Sequence, residues 1–591
     1  MKKLFTHTHM LINRIIAFLL IFTIFPFQIL CISVNSATTT FGNDIISERL
    51  DKALSSAKDD DIFYVMLWFF NNSKKEIQSR ISEEIGKSEL EWKMSLSEKT
   101  TLDEIHDFKK SKARIASEIY KRNNDKIAES ELKGEEIDYI SRYSPVILAH
   151  LSKNKIQSIA KSECIESIDL YFGDKVTLCA SPSDEMIASH TTLAKNSYGY
   201  NGTGVKIGIV DVSVPNLTSV IGTHLPSGCT YYVDPNSNNI SYGSSHATYC
   251  GNIIANVANG AEIYFTQRAD TLIAIEWLVD QGVDVISMSM SIGAGDKTNS
   301  YTAYSRWYDH ISYQHYISMC LAAGNTGNAT ALPTSGIGAS TGIHEAQMAY
   351  NVITVASMDF KNTPSNFSDD SISSISSYSS NTLYSSPFKP DICAPYGDTS
   401  GATALMAGIV SLAIDVRNSL SAYPESIKSI IASAINKNSP HKYLPKNRTT
   451  SAQTYMRYGS GLVDANEIIG TVLSNNYDSY YMLQSSRIWT QEFYAYSTDT
   501  IRISLAFLQP ADSSVIPHYT TGSINSYTKP DLDLYILKND ISGYHTLSAT
   551  SANNVEVVEF TPPEPGMYTI QIGQFSASST EDYVYFAVSW D

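Results

Sequence analysis

Four short segments, in a fixed order along the chain, supply a carboxylate, an imidazole, an amide and a hydroxyl. They are IVDVSVPN around Asp211, SSHATYCGN around His246, LAAGNTGN around Asn325 and GDTSGATALMAG around Ser400. A carboxylate that orients an imidazole, which in turn activates a hydroxyl, is the arrangement of a serine hydrolase. A side-chain amide can stabilise the oxyanion that such a reaction forms. The four residues together therefore predict acyl-transfer chemistry.

Apolar strands and helical stretches alternate between residues 205 and 357 and form the setting of these residues. Runs such as VKIGIV and VDVISMSM are separated by helical stretches such as TLIAIEWLVDQG. This pattern predicts an α/β fold with a doubly wound, mostly parallel sheet that is covered on both faces. Two of the four residues follow strands, and the other two stand where helices begin. Because such domains build their sites at the carboxyl edge of the sheet, we expect the four side chains to meet there.

Each of the four residues also has a purely structural interpretation. An Asp after a strand commonly begins a turn, and a Ser before a helix is most often its N-cap. A His at a helix start is more often structural than a base, and an Asn in a Gly-Asn-Thr-Gly segment can simply serve the turn. All four structural interpretations would have to hold together for the hydrolase prediction to be accidental.

In order and setting, the segments resemble the Asp, His, oxyanion Asn and Ser segments of the subtilisin-like serine peptidases (subtilases). The resemblance is close over residues 180–475. It implies that Asp211 orients the imidazole, that His246 is the general base and that Ser400 is the nucleophile. It also implies that the amide of Asn325 donates to the oxyanion. The substrate-binding residues that it implies are Ser289, Met290, Ser291, Ile292, Ala323 and Gly324.

The neighbours of the four residues depart from the pattern of the family. At six positions this chain has a residue that differs from the one usual in the family: Val212, Ser213, Ala247, Asn252, Asp398 and Ala404. Asp398 has a chemical consequence, because a carboxylate near the imidazole favours its protonated form and raises the pKa of His246. The base must be neutral to act, so we expect the working pH to shift upward.

Two further departures concern substrate selection. Ser291 and Ile292 stand where two glycines are usual in the family's substrate-lining strand. Side chains there would narrow the primary pocket, so we expect a preference for a small residue before the scissile bond. The alternative is a displaced loop that leaves the pocket open.

The rest of the chain divides into further regions. Lys2 and Lys3 precede an apolar run that reaches Val34, which is typical of a removable signal peptide. A retained membrane anchor is the alternative, because the run is long enough to span a bilayer. The predicted boundaries are 1–37 for the signal peptide, 38–180 for a propeptide, 181–476 for the catalytic domain and 477–591 for a C-terminal β-sandwich.

The two flanking regions have different patterns. Strand-like and helical segments surround a charged helical insert over residues 75–131. This α+β order resembles the inhibitory propeptide of the family. An unrelated accessory domain is the alternative. Short alternating strands after residue 477 predict an all-β sandwich that resembles a jelly-roll module. The Ser-rich stretch 365–387 is expected to be a surface loop.

Composition limits the partners and cofactors. The chain has 43 basic and 60 acidic residues and a formal net charge of -17, which argues against a nucleic-acid partner. No C-x-x-C occurs, and free core cysteines are expected. The chemistry needs no cofactor; a structural calcium ion stays open, although Asp531 and Asp533 are expected to be solvated or to cap a turn.

The resulting hypothesis is a secreted subtilisin-like serine endopeptidase made as a zymogen. Its expected partners are protein or peptide substrates and its own propeptide, with no membrane contact after signal removal, and it is expected to be a monomer. One alternative is a catalytically silent relative that binds peptides or partners through its cleft. Another is a narrow-specificity maturation protease that trims a secreted precursor.

Overall fold

The computed structural model describes residues 45–70, 73–171, 183–290, 301–326, 342–379, 387–442, 457–483, 486–496, 499–511, 530–538, 544–550, 553–576 and 583–591. The predicted signal peptide lies outside these residues. The described residues belong to one compact unit.

The N-terminal region contains a four-stranded antiparallel sheet in the order β2-β3-β1-β4. Its elements are α1 (Glu48–Ser56), β1 (Ile62–Phe69), α2 (Ser73–Ile85), α3 (Glu89–Met94), α4 (Leu102–Glu131), β2 (Glu136–Ile140), β3 (Val146–Ser152), α5 (Lys153–Ile159) and β4 (Ile165–Leu170). The charged insert of the sequence thus forms α2, α3 and α4. The 30-residue α4 begins at a capping box in which Thr101 and Glu104 satisfy each other's backbone N–H groups.

Successive side chains of β1 point to opposite faces of this sheet, and both faces are buried. Val65 and Leu67 pack with α1 and α5 in a core of the N-terminal region itself. Met66 and Trp68 point the other way, into a second core that also contains Trp307 of the central region. The period of two in a strand therefore ties the N-terminal sheet to the central region through one of its faces.

The central region is built on a mostly parallel sheet whose main path runs β13-β12-β11-β10-β5-β9-β7, with β14 beside β12. The strands of the central region are β5 (Lys206–Val210), β6 (Val214–Pro215), β7 (Thr230–Val233), β8 (Ile240–Ser241), β9 (Glu262–Thr266), β10 (Val285–Met288), β11 (Ser318–Ala322), β12 (Ile353–Asp359), β13 (Ser371–Ile372) and β14 (Ile392–Pro395), of which β6 and β8 form a separate two-stranded sheet. Its helices are α6 (Ser183–Ala188), α7 (Thr191–Tyr198), α8 (Leu217–Val220), α9 (His246–Val257), α10 (Thr271–Gln281), α11 (Ala303–His315), α12 (Thr399–Val416), α13 (Pro424–Ser433) and α14 (Ala465–Leu473), with 3₁₀ turns at Ala346–Met348 and Asn418–Ala422. The central strands β5, β10 and β11 are buried almost throughout, as the predicted α/β fold requires.

Helix α12 runs through the core of the central region. It is long and apolar enough to cross a membrane, but 89% of it is buried inside the protein, as in the core helix of a folded domain. Small residues let it approach α9 closely: a Cβ on Gly408 would lie 2.7 Å from Val257. The two helices that carry His246 and Ser400 are therefore packed directly against each other.

The C-terminal region consists of two four-stranded antiparallel sheets, in the orders β15-β22-β17-β20 and β16-β21-β18-β19. Its strands are β15 (Tyr477–Leu483), β16 (Ile488–Ala495), β17 (Ile501–Phe507), β18 (Asp531–Lys538), β19 (Tyr544–Ser548), β20 (Val555–Phe560), β21 (Gly566–Ser576) and β22 (Tyr583–Trp590). Residues from both sheets, such as Leu505 and Leu534, share one core. The sheets therefore pack face to face.

One sequence expectation about surface exposure holds only in part, and another was wrong. In the Ser-rich stretch, Ser365, Ser368 and Ser374 are exposed as expected, but Ser376, Ser377 and Ser379 are buried, and their hydroxyls or backbone groups bond to neighbouring strands and loops. Asp531 and Asp533 are buried as well, and the carboxylate of Asp533 accepts a hydrogen bond from Tyr535 at 3.0 Å. Burial raises the pKa of Asp533.

Candidate active site

Asp211 and His246 form a hydrogen-bonded pair at the carboxyl edge of the sheet. Asp211 follows the last residue of β5, and His246 is the first residue of α9. Nδ1 of His246 lies 2.7 Å from Oδ2 of Asp211, and both side chains are almost completely buried. Oδ1 of Asp211 accepts from the N–H of Val212 at 2.7 Å, which fixes the carboxylate. Such a contact holds the imidazole in the tautomer that leaves Nε2 available to accept a proton.

Neither His246 nor Ser400 is the N-cap of the helix on which it lies. The N-cap of α9 is Ser245, whose hydroxyl accepts from the N–H of Thr248, so His246 is not the cap. The N-cap of α12 is Asp398, whose Oδ1 accepts from the N–H of Gly401 at 2.8 Å. The hydroxyl of Ser400 is therefore not used to cap its helix.

Ser400 makes a reciprocal pair of hydrogen bonds with the end of β10. Its Oγ donates to the carbonyl of Ser289 at 3.2 Å, and Oγ of Ser289 donates to the carbonyl of Ser400 at 3.0 Å. Nε2 of His246 has no hydrogen-bond partner among the described residues. If His246 is to take the proton of Ser400, the hydroxyl has to leave the Ser289 carbonyl first. Hydrogen bonds between a catalytic base and its partner often form fully only when substrate binds.

Thr399 orients the amide of Asn325, which the sequence reasoning had not anticipated. The N–H and Oγ1 of Thr399 donate to Oδ1 of Asn325 at 2.9 and 2.8 Å. Because both bonds go to the oxygen, the NH₂ group of Asn325 is left as the donor end. Oγ1 of Thr399 also accepts from the N–H of Gly324 at 3.2 Å. The position of Thr399 between Asp398 and Ser400 was the only signal available in the sequence.

The charges around His246 favour its protonated form. Burial alone would lower the pKa of His246, but the hydrogen bond and charge of Asp211, with a further contribution from the charge of Asp398, raise it above its usual value. The contribution of Asp398 has the direction that the sequence predicted. Oδ2 of Asp398 also accepts from the hydroxyl of Tyr249 at 3.3 Å.

Two tyrosines close the space beside the start of α12. Tyr249 and Tyr396 meet edge to face, with ring centroids 6.2 Å apart. A Cβ on Gly401 would lie 2.2 Å from Tyr396 and 2.6 Å from the hydroxyl of Tyr249. The residue after Ser400 must therefore be glycine for the helix to begin at this depth.

Within the described parts of the chain, one group of three potential metal ligands comes together, and it lies at this site. Ligand atoms of Asp211, His246 and Cys250 lie within 4.8 Å of one another. Burial raises the pKa of the Cys250 thiol well above its usual value, which disfavours the thiolate that a metal would need. Cys229, Cys320 and Cys393 are also free and buried, whereas Cys164 is free and half-buried, and Cys179 lies outside the described residues.

The predicted substrate-binding residues are only partly described. Ser289 and Met290 follow β10 and are buried, and Ala323 and Gly324 follow β11 beside Thr399. The strand ends β10 and β11 thus flank the start of α12. Ser291 and Ile292 lie outside the described residues.

Comparison with known proteins identifies the family of the central region. The Subtilase family model Peptidase_S8 matches residues 202–461, which include all four candidate residues. No curated protein matches the chain.

Among solved structures, the chain is similar to the epidermin leader peptide processing serine protease EpiP from Staphylococcus aureus. That match has 12% identity and a TM-score of 0.39, and covers 69% of this chain and 99% of the other. A lanthipeptide protease matches with 18% identity and a TM-score of 0.33, covering 49% of this chain and 94% of the other. Both TM-scores are low, so the family assignment rests on the family model.

Proposed function

Residues 202–461 form a domain of the subtilase family, which makes the protein a serine-type peptidase, and we propose that it is a secreted endopeptidase made as a zymogen. The observation that carries the proposal is the buried 2.7 Å contact between His246 and Asp211, with Ser400 on the helix packed against that of His246. In such a pair the imidazole is oriented to accept a proton at Nε2. Protein or peptide substrates follow from the family.

The first chemical step is attack by Ser400 on the carbonyl carbon of the scissile bond. The Oγ proton passes to Nε2 of His246 as the new C–O bond forms, and the carbonyl π electrons move to its oxygen. The NH₂ group of Asn325 donates to that oxyanion, and Asp211 stabilises the imidazolium. The tetrahedral intermediate then collapses, the C–N bond breaks, and His246 returns the proton to the leaving amine.

The second half of the reaction hydrolyses the acyl-enzyme. Water gives one proton to His246, and its oxygen attacks the ester carbonyl. When the C–O bond to Ser400 breaks, the imidazolium returns the proton to Oγ. The products are a carboxylic acid and a free enzyme, so one water is consumed for each peptide bond, and no redox change occurs.

The flanking regions support the zymogen part of the proposal. The antiparallel sheet of residues 62–170, with helices on both sides, agrees with an α+β propeptide, and the paired sheets after residue 477 agree with a jelly-roll-like sandwich. Cleavage between the proposed propeptide and the catalytic domain would fall between about residues 172 and 190, and residues 172–182 of this stretch lie outside the described part of the chain. We propose that residues 1–37 direct secretion and are removed. The expected mature protein is a monomer.

A peptidase is favoured over a binding protein without activity, because a binding cleft has no need of an oriented base, a hydroxyl and an amide together. The test compares the purified full-length protein with Ser400→Ala. We expect release of an N-terminal fragment from the first protein only. Processing of both would implicate a contaminating protease, and processing of neither, together with no hydrolysis of peptide substrates, would contradict the proposal.

Substrate selection is a separate proposal. Ser291 and Ile292 replace two glycines in the segment after β10, and their side chains should restrict the primary pocket to a small residue. A peptide library should show cleavage mainly after small residues. Efficient cleavage after Phe or Tyr would mean that the pocket is open.

A further inference from the structure

The N-terminal region, the central region and the C-terminal sandwich meet at two buried cations. From this we propose that the sandwich acts as a clamp, which keeps residues 45–171 on the catalytic domain as a non-covalent subunit after the chain between them has been cut. The clamp extends the proposed function, because self-cleavage between about residues 172 and 190 would make the cut. The contacts themselves do not depend on catalysis.

The first junction is centred on Arg306 of α11, whose side chain is 1% exposed. Its two terminal nitrogens donate to the carboxylate of Glu166 in β4, at 2.8 and 3.3 Å. Its Nε donates to the carbonyl of Ala511, which follows β17 of the sandwich, at 2.9 Å. The guanidinium also lies over the ring of Trp68 in β1, 3.9 Å from its centroid. One guanidinium therefore joins all three regions.

The second junction is centred on Lys93 of α3, in the helical insert. Its Nζ donates to Glu425 of α13 at 2.8 Å, and both side chains are completely buried. The same Nζ lies 3.9 Å from the ring centroid of Tyr585 in β22 and 4.7 Å from that of Tyr423. Leu90 of α3 packs beside Tyr585 in a small apolar cluster. Lys93 thus pairs with a catalytic-domain carboxylate under an aromatic ring of the sandwich.

The catalytic domain also binds the N-terminal region through contacts in which the sandwich takes no part. Asp284 accepts from Lys109 at 3.0 Å and lies 2.8 Å from Nε2 of His106, both on α4. Glu276 of α10 accepts from the hydroxyl of Ser141 and the N–H of Arg142. These contacts form a separate face of the interface, so they provide a reference against which the sandwich contacts can be tested.

Simultaneous attachment is what should make release slow. A fragment held by two surfaces must lose both sets of contacts before it diffuses away, since loss of one set leaves the other to bring it back. The two junctions lie on different parts of the N-terminal region: Glu166 and Trp68 belong to its sheet, whereas Leu90 and Lys93 belong to its insert. At the first junction the sandwich reaches the N-terminal region only through Arg306 of the catalytic domain, whereas at the second the ring of Tyr585 lies directly over Lys93 of the insert.

The test uses the full chain with Ser400→Ala, which prevents self-cleavage, and a recognition sequence for a site-specific protease within residues 172–182. The protein is folded first and then cut, so folding and release are measured separately. We expect the two fragments to elute together from a sizing column and to give one complex in native mass spectrometry. Elution as two separate species would overturn the proposal. Because an external protease makes the cut, neither result depends on peptidase activity.

Variants of the cut protein show whether the sandwich holds the fragment. Tyr585→Leu removes the ring over Lys93, and we expect the N-terminal fragment to dissociate at least about 10-fold faster. This corresponds to a free-energy barrier to dissociation that is lower by about 1.4 kcal/mol. If Tyr585→Leu unfolds before it can be cut, Leu90→Ala tests the same contact from the side of the N-terminal region. The control is Arg114→Gln, which breaks two exposed ion pairs inside the N-terminal region, with Glu84 and Glu118, and should leave the rate unchanged. Unchanged dissociation in both Tyr585→Leu and Leu90→Ala, with acceleration by Asp284→Asn, would show that the sandwich is not a clamp.

Discussion

At the level of single residues, Asp398 combines two effects that sequence comparison cannot separate. Its Oδ1 caps α12 through the N–H of Gly401, and its charge contributes to the raised pKa of His246. A substitution that removes both effects would confuse helix stability with the protonation of the base. Asparagine keeps a capping oxygen and removes the charge, so it isolates the electrostatic effect.

We therefore predict that Asp398→Asn moves the acidic limb of the profile of kcat/KM against pH to lower pH. The imidazole must be neutral to act, so activity rises as pH passes through the pKa of His246, and loss of the negative charge lowers that pKa. The raised pKa also stabilises the fold below the unfolded pKa of histidine, and this contribution is lost as pH rises through the folded pKa. Glu185→Gln is the control, since it alters a nearby carboxylate that does not contribute to the pKa shift of His246. An acidic limb that stays in place in Asp398→Asn would reject the effect.

The amide of Asn325 supports a second prediction. Asn325→Ala should lower kcat by about 100-fold to 1000-fold with a much smaller change in KM, because the donor acts mainly on the oxyanion. Thr399→Val removes one of the two bonds that orient the amide and should cause a smaller loss of the same kind. Steady-state kinetics on a peptide substrate measure both. An Asn325→Ala enzyme with unchanged kcat would mean that another group stabilises the oxyanion.

Among the elements, α12 shows how packing places Ser400, the proposed nucleophile. Asp398 begins the helix, Gly401 lies against Tyr396, and Gly408 lies against Val257 of α9. A larger residue at either glycine would push the helix away from its neighbours. The depth of the start of α12, and with it the position of Ser400, is thus set by contacts along the helix.

Gly401→Ala should destabilise the protein by about 1–3 kcal/mol and reduce activity, because the new Cβ would overlap the ring of Tyr396. Gly397→Ala is a matched control four residues earlier, where a Cβ meets nothing within 4 Å. Thermal unfolding and kcat/KM of the two variants provide the comparison. Equal effects at both positions would mean that the ring moves aside without cost.

The elements also show what could be predicted from the sequence. The apolar runs predicted the parallel sheet, and the four segments predicted the candidate site residues, because both signals are local in the sequence. Burial of Ser377 and Asp533 was missed, since it depends on which distant strand or loop covers them. The junctions at Arg306 and Lys93 were missed for the same reason: their partners lie 140 and 332 residues away in the chain.

For the chain as a whole, buried charges at the interfaces between regions have a large effect on stability. Asp284 accepts from Lys109 and from the N–H of Lys206 within a completely buried site. Burial opposes its ionisation, but Lys109, His106 and the N–H of Lys206 outweigh this and lower the pKa of Asp284 far below its usual value. A carboxylate of this kind stabilises the fold above its unfolded pKa, and the contribution is lost only as pH falls through the folded pKa.

Asp284→Asn should lower the free energy of unfolding by about 3–5 kcal/mol, because it leaves the buried ammonium of Lys109 without its counter-charge. Asp125→Asn is the control: its pair with Lys121 is exposed, so we expect a change of about 0–1 kcal/mol. Urea unfolding at neutral pH measures both. A small effect at Asp284 would mean that water or another group reaches Lys109 once the charge is gone.

The proposal that Ser400 is the nucleophile, activated by His246, can be tested most directly by covalent labelling with a fluorophosphonate, followed by mass spectrometry of the digested protein. The reagent loses fluoride as its phosphorus bonds to an activated serine oxygen. We predict one adduct, on Ser400, in the wild type, strongly slowed labelling in His246→Ala and none in Ser400→Ala. A protein that hydrolyses peptides while Ser400 stays unlabelled, or a Ser400→Ala variant that keeps its activity, would contradict the assignment.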